Sequence, residues 1–139
     1  MNIQENTQLV QEGYALFIKG DIPNLLNQYA DDIEFAFSGN PEVNPIAGTF
    51  KGKEQVVNFF SIVNDYINFE IFEPREFIAQ GDKVVVLGHD RGTSKVNGEP
   101  FEQDWVHVLT VKDGKIARLQ GFLDHSNDVR LYKRVMQEA

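Results

Sequence analysis

The sequence predicts an α+β fold in which helices come first and a curved antiparallel sheet follows. Three observations carry this. Apolar residues recur at helical spacing near the N-terminus and again over 53–67. From Phe69 onward the pattern becomes that of strands. Three turn dipeptides, Gly81-Asp82, Asn97-Gly98 and Asp113-Gly114, divide this second half into four extended runs.

The first helix covers 2–19, where Leu9, Val10, Tyr14, Phe17 and Ile18 recur near helical spacing and Asn2 with Glu5 forms a capping box. Gly20 ends it, and Asp21 caps a second helix with Pro23 in its first turn. Leu25, Leu26 and Tyr29 supply the inner face of that helix. Residues 33–37 read as a short strand, and 38–52, with two prolines and three glycines, as a loop. A third helix over 53–67 carries the apolar stripe Val56, Val57, Phe59, Phe60, Val63 and Tyr66. Strands over 69–80, 83–96, 99–112 and 115–123 form an antiparallel meander. The tail over 126–137, with Val129, Leu131, Tyr132 and Val135, reads as a closing helix. Gly88 and Gly92 share one face of a strand and mark a bend or a close approach.

A chain of 139 residues is expected to be one domain, 1–139, large enough to bury a core. Its 42% apolar content excludes disorder, and 11 Phe, 4 Tyr and 1 Trp suit a lined cavity. The net charge of -8 disfavours nucleic acid and anionic membrane surfaces as partners. Without cysteine there is no disulfide, thiolate catalysis or cysteine-based zinc site. The polar N-terminus lacks the features of a signal peptide, and no apolar run approaches the roughly 18 residues of a membrane span. A cytoplasmic protein is therefore expected. His89, His107 and His125 show no metal-ligand spacing, and no P-loop, nucleophile elbow or dinucleotide fingerprint is present. No metal and no cofactor are expected.

Hairpin register then places side chains. A two-residue turn at Asp113-Gly114 pairs His107 with Gln120, Trp105 with Phe122 and Gln103 with Asp124. The same count around Asn97-Gly98 sets Trp105 against Asp90. One face thus carries Gln103, Trp105, His107, Leu109, Arg118, Gln120, Phe122, Asp124 and Asp90, a mixture of apolar walls and hydrogen-bonding groups that suits a ligand pocket. The other face carries Val106, Val108, Ala117, Leu119 and Leu123, for packing under a helix or against a second subunit. A single bulge would swap the faces.

The order of elements, the stretch Glu102-Gln103-Asp104-Trp105-Val106-His107-Val108-Leu109-Thr110-Val111, and Asp113 to Arg118 running on to Phe122-Leu123-Asp124 resemble the SnoaL-like, ketosteroid-isomerase-related proteins of the NTF2-like superfamily. So do Gly20-Asp21, Tyr29-Ala30-Asp31-Asp32 and the loop and helix from Gly48 to Phe60. The resemblance implies a cone-shaped α+β barrel with three N-terminal helices and a C-terminal helix, a homodimer, and a pocket for a small hydrophobic molecule. It also implies cofactor-free acid–base chemistry, with Asp124 at the position of the acid/base of polyketide cyclases and His107 at that of a pocket histidine. There are departures. The base of steroid isomerases falls near Phe37, which holds no proton, and their oxyanion tyrosine falls one residue from Tyr14. The Arg-x-Asp pair of limonene-type epoxide hydrolases is absent, since Asp90 and Arg91 are adjacent.

These readings assign candidate roles. Asp124 is a general base desolvated by Trp105 and Phe122, or the N-cap of the final helix. His107 donates to a ligand carbonyl, or is a core histidine satisfied by a neighbour. Arg118 meets a substrate oxyanion or forms an ion pair with Asp90 or Glu73. Gln103, Trp105, Phe122, Gln120, Asp90, Tyr14 and Phe37 complete the substrate contacts. The expected function is isomerisation, cyclisation or dehydration of a small carbonyl or polyketide-like compound. The alternative is a non-catalytic ligand-binding or dimerisation module on the same fold.

Overall fold

A computed structural model describes residues 2–133. The elements are α1 (Ile3–Lys19), α2 (Ile22–Asn27), β1 (Tyr29–Phe37), β2 (Gly48–Lys51), α3 (Gly52–Tyr66), β3 (Ile67–Gln80), β4 (Lys83–Ser94), β5 (Pro100–Lys112), β6 (Lys115–Phe122) and α4 (Asp128–Tyr132). The expected helices and strands are present with shifts at their ends, the largest at β1, which begins at Tyr29, so that Tyr29 opens a strand and is not part of the inner face of α2. The segment read as a loop over 38–52 contains β2, which pairs antiparallel with β1. The closing helix is shorter than expected, and its expected continuation over 134–137, with Val135, lies outside the described residues.

The helix ends follow the caps written in the sequence. The Asn2 side chain accepts from the Glu5 amide at 2.8 Å, the Asn2 amide donates back to Glu5, and Gly20 closes α1 in the left-handed region at φ 83°. Asp21 caps α2. The sheet holds six strands in the order β2-β1-β6-β5-β4-β3 and is curved and unclosed. From β3 to β6 it is an antiparallel meander, and β1 adds parallel to β6. Bulges in β3, between Phe69 and Ile71 and between Pro74 and Glu76, increase the local twist and bend the sheet. Helices α1 and α3 cover the concave face with Val10 and Tyr14, and with Val56, Phe59 and Val63. Each of the fully buried aliphatic side chains among these contributes roughly 2 kcal/mol.

Two glycines let aromatic rings lie flat on the sheet. A Cβ at Gly88 would stand 2.1 Å from the Trp105 indole, and one at Gly121 would stand 2.2 Å from the Phe37 ring. A Cβ at Gly92 would instead meet the Asn68 carbonyl at 2.0 Å, where β3 and β4 approach closely. No helix among the described residues is long and apolar enough to cross a membrane.

Candidate functional site

Between the helices and the sheet lies a cavity of about 110 Å³. Its wall is mostly apolar and rich in aromatic rings, with Phe35, Phe37, Phe59, Phe60, Phe72 and Trp105 among the lining residues. The polar groups that reach it are few, as a ligand site requires. They include Tyr14 from α1, Asp90 from β4, Gln103 and His107 from β5, and Asn44, Asp128 and Tyr132 near the C-terminal end of β6.

Register decides which expected residues arrive here. At the β5–β6 turn Asp113 and Gly114 both take positive φ, and Lys112 pairs with Lys115 as the two-residue turn requires. The register then slips by one residue, so that Thr110 pairs with Arg118, Val108 with Gln120 and Val106 with Phe122. Beyond the slip the faces of β6 are exchanged. Arg118 and Gln120 leave the pocket face, and Phe122 is 47% exposed. Leu119 is buried and, like Leu123, lines the cavity rather than the outer face. Arg118 donates to Glu34 at 2.9 Å, not to Asp90 or Glu73. Asp124 is exposed and accepts from the Ser126 amide at 3.0 Å, and that bond holds its carboxyl below the usual range. The structure therefore does not bring Asp124, Phe122, Gln120 or Arg118 to the cavity.

The β4–β5 loop is longer than two residues, and Ser94 N donates to Glu99 O at 2.8 Å across it. Here the register moves by two, so Asp90 pairs with Gln103 and Gly88 with Trp105. A shift of two keeps every side chain on its face. Asp90, Gln103, Trp105, His107, Tyr14 and Phe37 all line the cavity.

Two polar arrangements stand out. His107 is buried, stacks on Trp105 with ring centroids 4.2 Å apart, and meets the Tyr14 hydroxyl through Nδ1 at 2.6 Å. Burial pushes its imidazole down to about 3, so the ring is neutral. Burial, with Tyr29 nearby, pushes the Tyr14 hydroxyl well above the usual phenol range, so it keeps its proton. Together they form a neutral hydrogen-bonding pair. Asp90 is only 3% exposed, and burial raises its carboxyl to about 6 against the opposing pull of a Gln103 hydrogen bond and of His89. Its Oδ1 has no protein partner, and neither has the indole Nε1 of Trp105. An acceptor and a donor are thus left unpaired on two residues lining one apolar cavity. Such groups normally find a partner, because an orphan costs about 1–3 kcal/mol. Among the described residues no group of three or more His, Asp or Glu side chains is set to hold a metal ion.

A sequence model of the SnoaL-like domain matches residues 10–119. The chain belongs to the SnoaL-like family, within the NTF2-like superfamily. Solved structures agree. An NTF2-like protein from Burkholderia xenovorans LB400 is 32% identical over 96% of this chain and 99% of that one, with a TM-score of 0.86. An NTF2-like protein of unknown function from Burkholderia pseudomallei K96243 is 30% identical over 96% and 99%, with a TM-score of 0.84. TerC, crystallised with polyporic acid, is 28% identical over 93% and 98%, with a TM-score of 0.82. More distant neighbours, 18–24% identical, include chains whose descriptions suggest an isomerase or a SnoaL-like polyketide cyclase; at that identity the likeness is one of fold. The search of curated proteins finds no match.

Proposed function

We propose that this SnoaL-like protein binds a small hydrophobic carbonyl compound in the cavity and moves a proton on it without a cofactor. Asp90 is the general base, in place of Asp124. The observation that carries this is a buried carboxylate poised near neutrality with one oxygen unpaired. A group with a value of about 6 is largely ionised at pH 7 yet basic enough to accept a proton from carbon. Asp90 takes the proton α to the carbonyl, negative charge develops on the carbonyl oxygen, and Asp90 returns the proton at another position. The Trp105 Nε1–H and the Tyr14–His107 pair are the neutral donors available to that oxygen. The relative crystallised with polyporic acid supports a small organic ligand. A second copy docked on the outer sheet face, over Val106, Val108 and the exposed Phe122, belongs to the same proposal.

The test is deuterium exchange at the α-carbon of a cyclic ketone such as cyclohexanone, followed by NMR in D2O. The protein should accelerate exchange, and Asp90→Asn should lower the rate about a hundredfold with little change in ketone affinity. Equal exchange by the two proteins would remove Asp90 from the role. Ketone binding without any exchange would favour the ligand-binding module instead.

A further inference from the structure

At the rim of the cavity, where β1 and β6 both end, three side chains form a chain that the proton-transfer proposal does not use. The Ser38 Oγ lies 2.8 Å from His125 Nε2, and His125 Nδ1 lies 2.8 Å from Asp128 Oδ2. We infer that Ser38, His125 and Asp128 form a nucleophilic serine centre that cleaves short-chain carboxylic esters.

Polarity supports the assignment. The Asp128 carboxylate can only accept, so on a neutral imidazole it fixes the proton on Nδ1. Nε2 is then a bare acceptor, and the Ser38 hydroxyl donates to it. That is the arrangement by which an imidazole activates a serine, with both distances inside the working reach of a nucleophile and its base. The parts are also held. Asp128 is nearly buried and accepts a second bond from Asn44 Nδ2 at 3.2 Å. Asn44 is itself 1% exposed and accepts from the Ile46 amide. The Ser38 amide donates to Gly121 O at 3.0 Å, which fixes the backbone of the nucleophile to β6. Gly39 has no side chain where one would collide with the His125 ring, since a Cβ there would stand 2.7 Å from Cε1.

Access fits an ester whose acyl group is small and apolar. The side chain of His125 is 28% exposed, so a carbonyl reaches the serine from solvent. Phe37, Leu123 and Asp128 line the cavity and lie within three positions of Ser38 or His125, so an alkyl group can rest in its mouth. Ser38 Oγ bonds to the ester carbonyl carbon as its proton passes to His125 Nε2. The tetrahedral species then expels the alkoxide, which takes that proton and leaves as an alcohol. Water attacks the acyl-serine with His125 again as base, releasing the carboxylic acid and restoring the hydroxyl. Ser38 and His125 are the catalytic residues, and Asp128 is a positioning residue.

The test is p-nitrophenyl butyrate, with nitrophenolate release followed by absorbance and the adduct by peptide mass spectrometry. The unaltered protein should carry a butyryl group on Ser38 and show a burst followed by turnover. Ser38→Ala should abolish both, and His125→Ala should slow acylation at least a hundredfold. Asp128→Asn should slow it and move its pH profile, which a merely structural contact would not do. The neighbouring Ser126→Ala should react as the unaltered protein does. Peptide mapping of the unaltered protein stands even if a variant fails to fold. A butyryl group on any residue other than Ser38, no adduct at all, or equal turnover by Ser38→Ala would overturn the inference.

Discussion

His107 and His89 sit on adjacent strands and face opposite sides of one sheet. His107 is buried against Trp105 with a phenol as its partner, and burial drives its imidazole down to about 3. His89 lies outside, between Asp104 at 2.8 Å and Glu102 at 2.7 Å, and those two hydrogen bonds raise it. Two identical side chains therefore carry opposite charge preferences. The period-2 alternation of the strand decides which solvent each meets, and the acceptor each finds decides the rest. Inside, Tyr14 and His107 stay neutral, and burial raises the Asp90 carboxyl to about 6.

The largest expected effect comes from emptying the inner position. His107→Ala removes the partner of Tyr14 and part of a close-packed stack, and should cost about 3–4 kcal/mol in chemical denaturation. His89→Ala should leave the denaturation midpoint at pH 8 unchanged within error. A comparable loss at both positions would erase the contrast.

Asp90→Asn should stabilise the ligand-free protein at pH 8, by up to about 3 kcal/mol. The sign follows from linkage. A carboxyl raised from 3.8 to about 6 favours the folded state when protonated, and that advantage is lost as pH rises through about 6. The gain should vanish near pH 3, and melting curves at the two pH values read it directly.

Titration separates the two rings. By nitrogen NMR, His89 should take up its proton above pH 6.5, whereas His107 should stay neutral down to pH 4. Because the unfolded chain protonates near 6.5 and the folded His107 does not until about 3, acid should destabilise the fold progressively across that interval. His89 acts the other way: its contribution is complete below 6.5 and fades as pH rises through its folded value. The smallest effect is salt. In 1 M NaCl the outward-facing His89 should fall back toward 6.5, while His107 should not move.

The fold was legible because caps, apolar stripes and turn dipeptides each act over a few residues. Asn2, Gly20, Asp21, Gly81-Asp82 and Asp113-Gly114 all mark ends where they were read, whereas Asn97-Gly98 lies inside a longer loop between Ser94 and Pro100. The site was half legible. Trp105, His107, Gln103 and Asp90 reached the cavity because the error at the β4–β5 turn was an even number of residues. Arg118, Gln120, Phe122 and Asp124 did not, because the irregularity between Ile116 and Arg118 is a single residue and no glycine or proline announces it. The chain of Ser38, His125 and Asp128 had no local signal at all. Its members meet only through the parallel pairing of β1 with β6, which sets sequence positions 87 apart side by side.

The glycines beneath Trp105 and Phe37 have a further consequence. Each ring occupies the space of a missing methyl group, so the depth of the cavity is set by the sheet floor rather than by its walls. A methyl added at Gly88 would displace the Trp105 indole and with it the Nε1–H donor, whereas one at Gly121 would lift only the Phe37 ring toward the ligand, without altering any donor or acceptor. Ligand size and proton chemistry are therefore separately adjustable at Gly121. A series of cycloalkanones of increasing ring size, assayed for binding against Gly121→Ala, would show the size limit shrinking while the exchange rate of the ketones that still fit is preserved, whereas Gly88→Ala would lower the exchange rate as well.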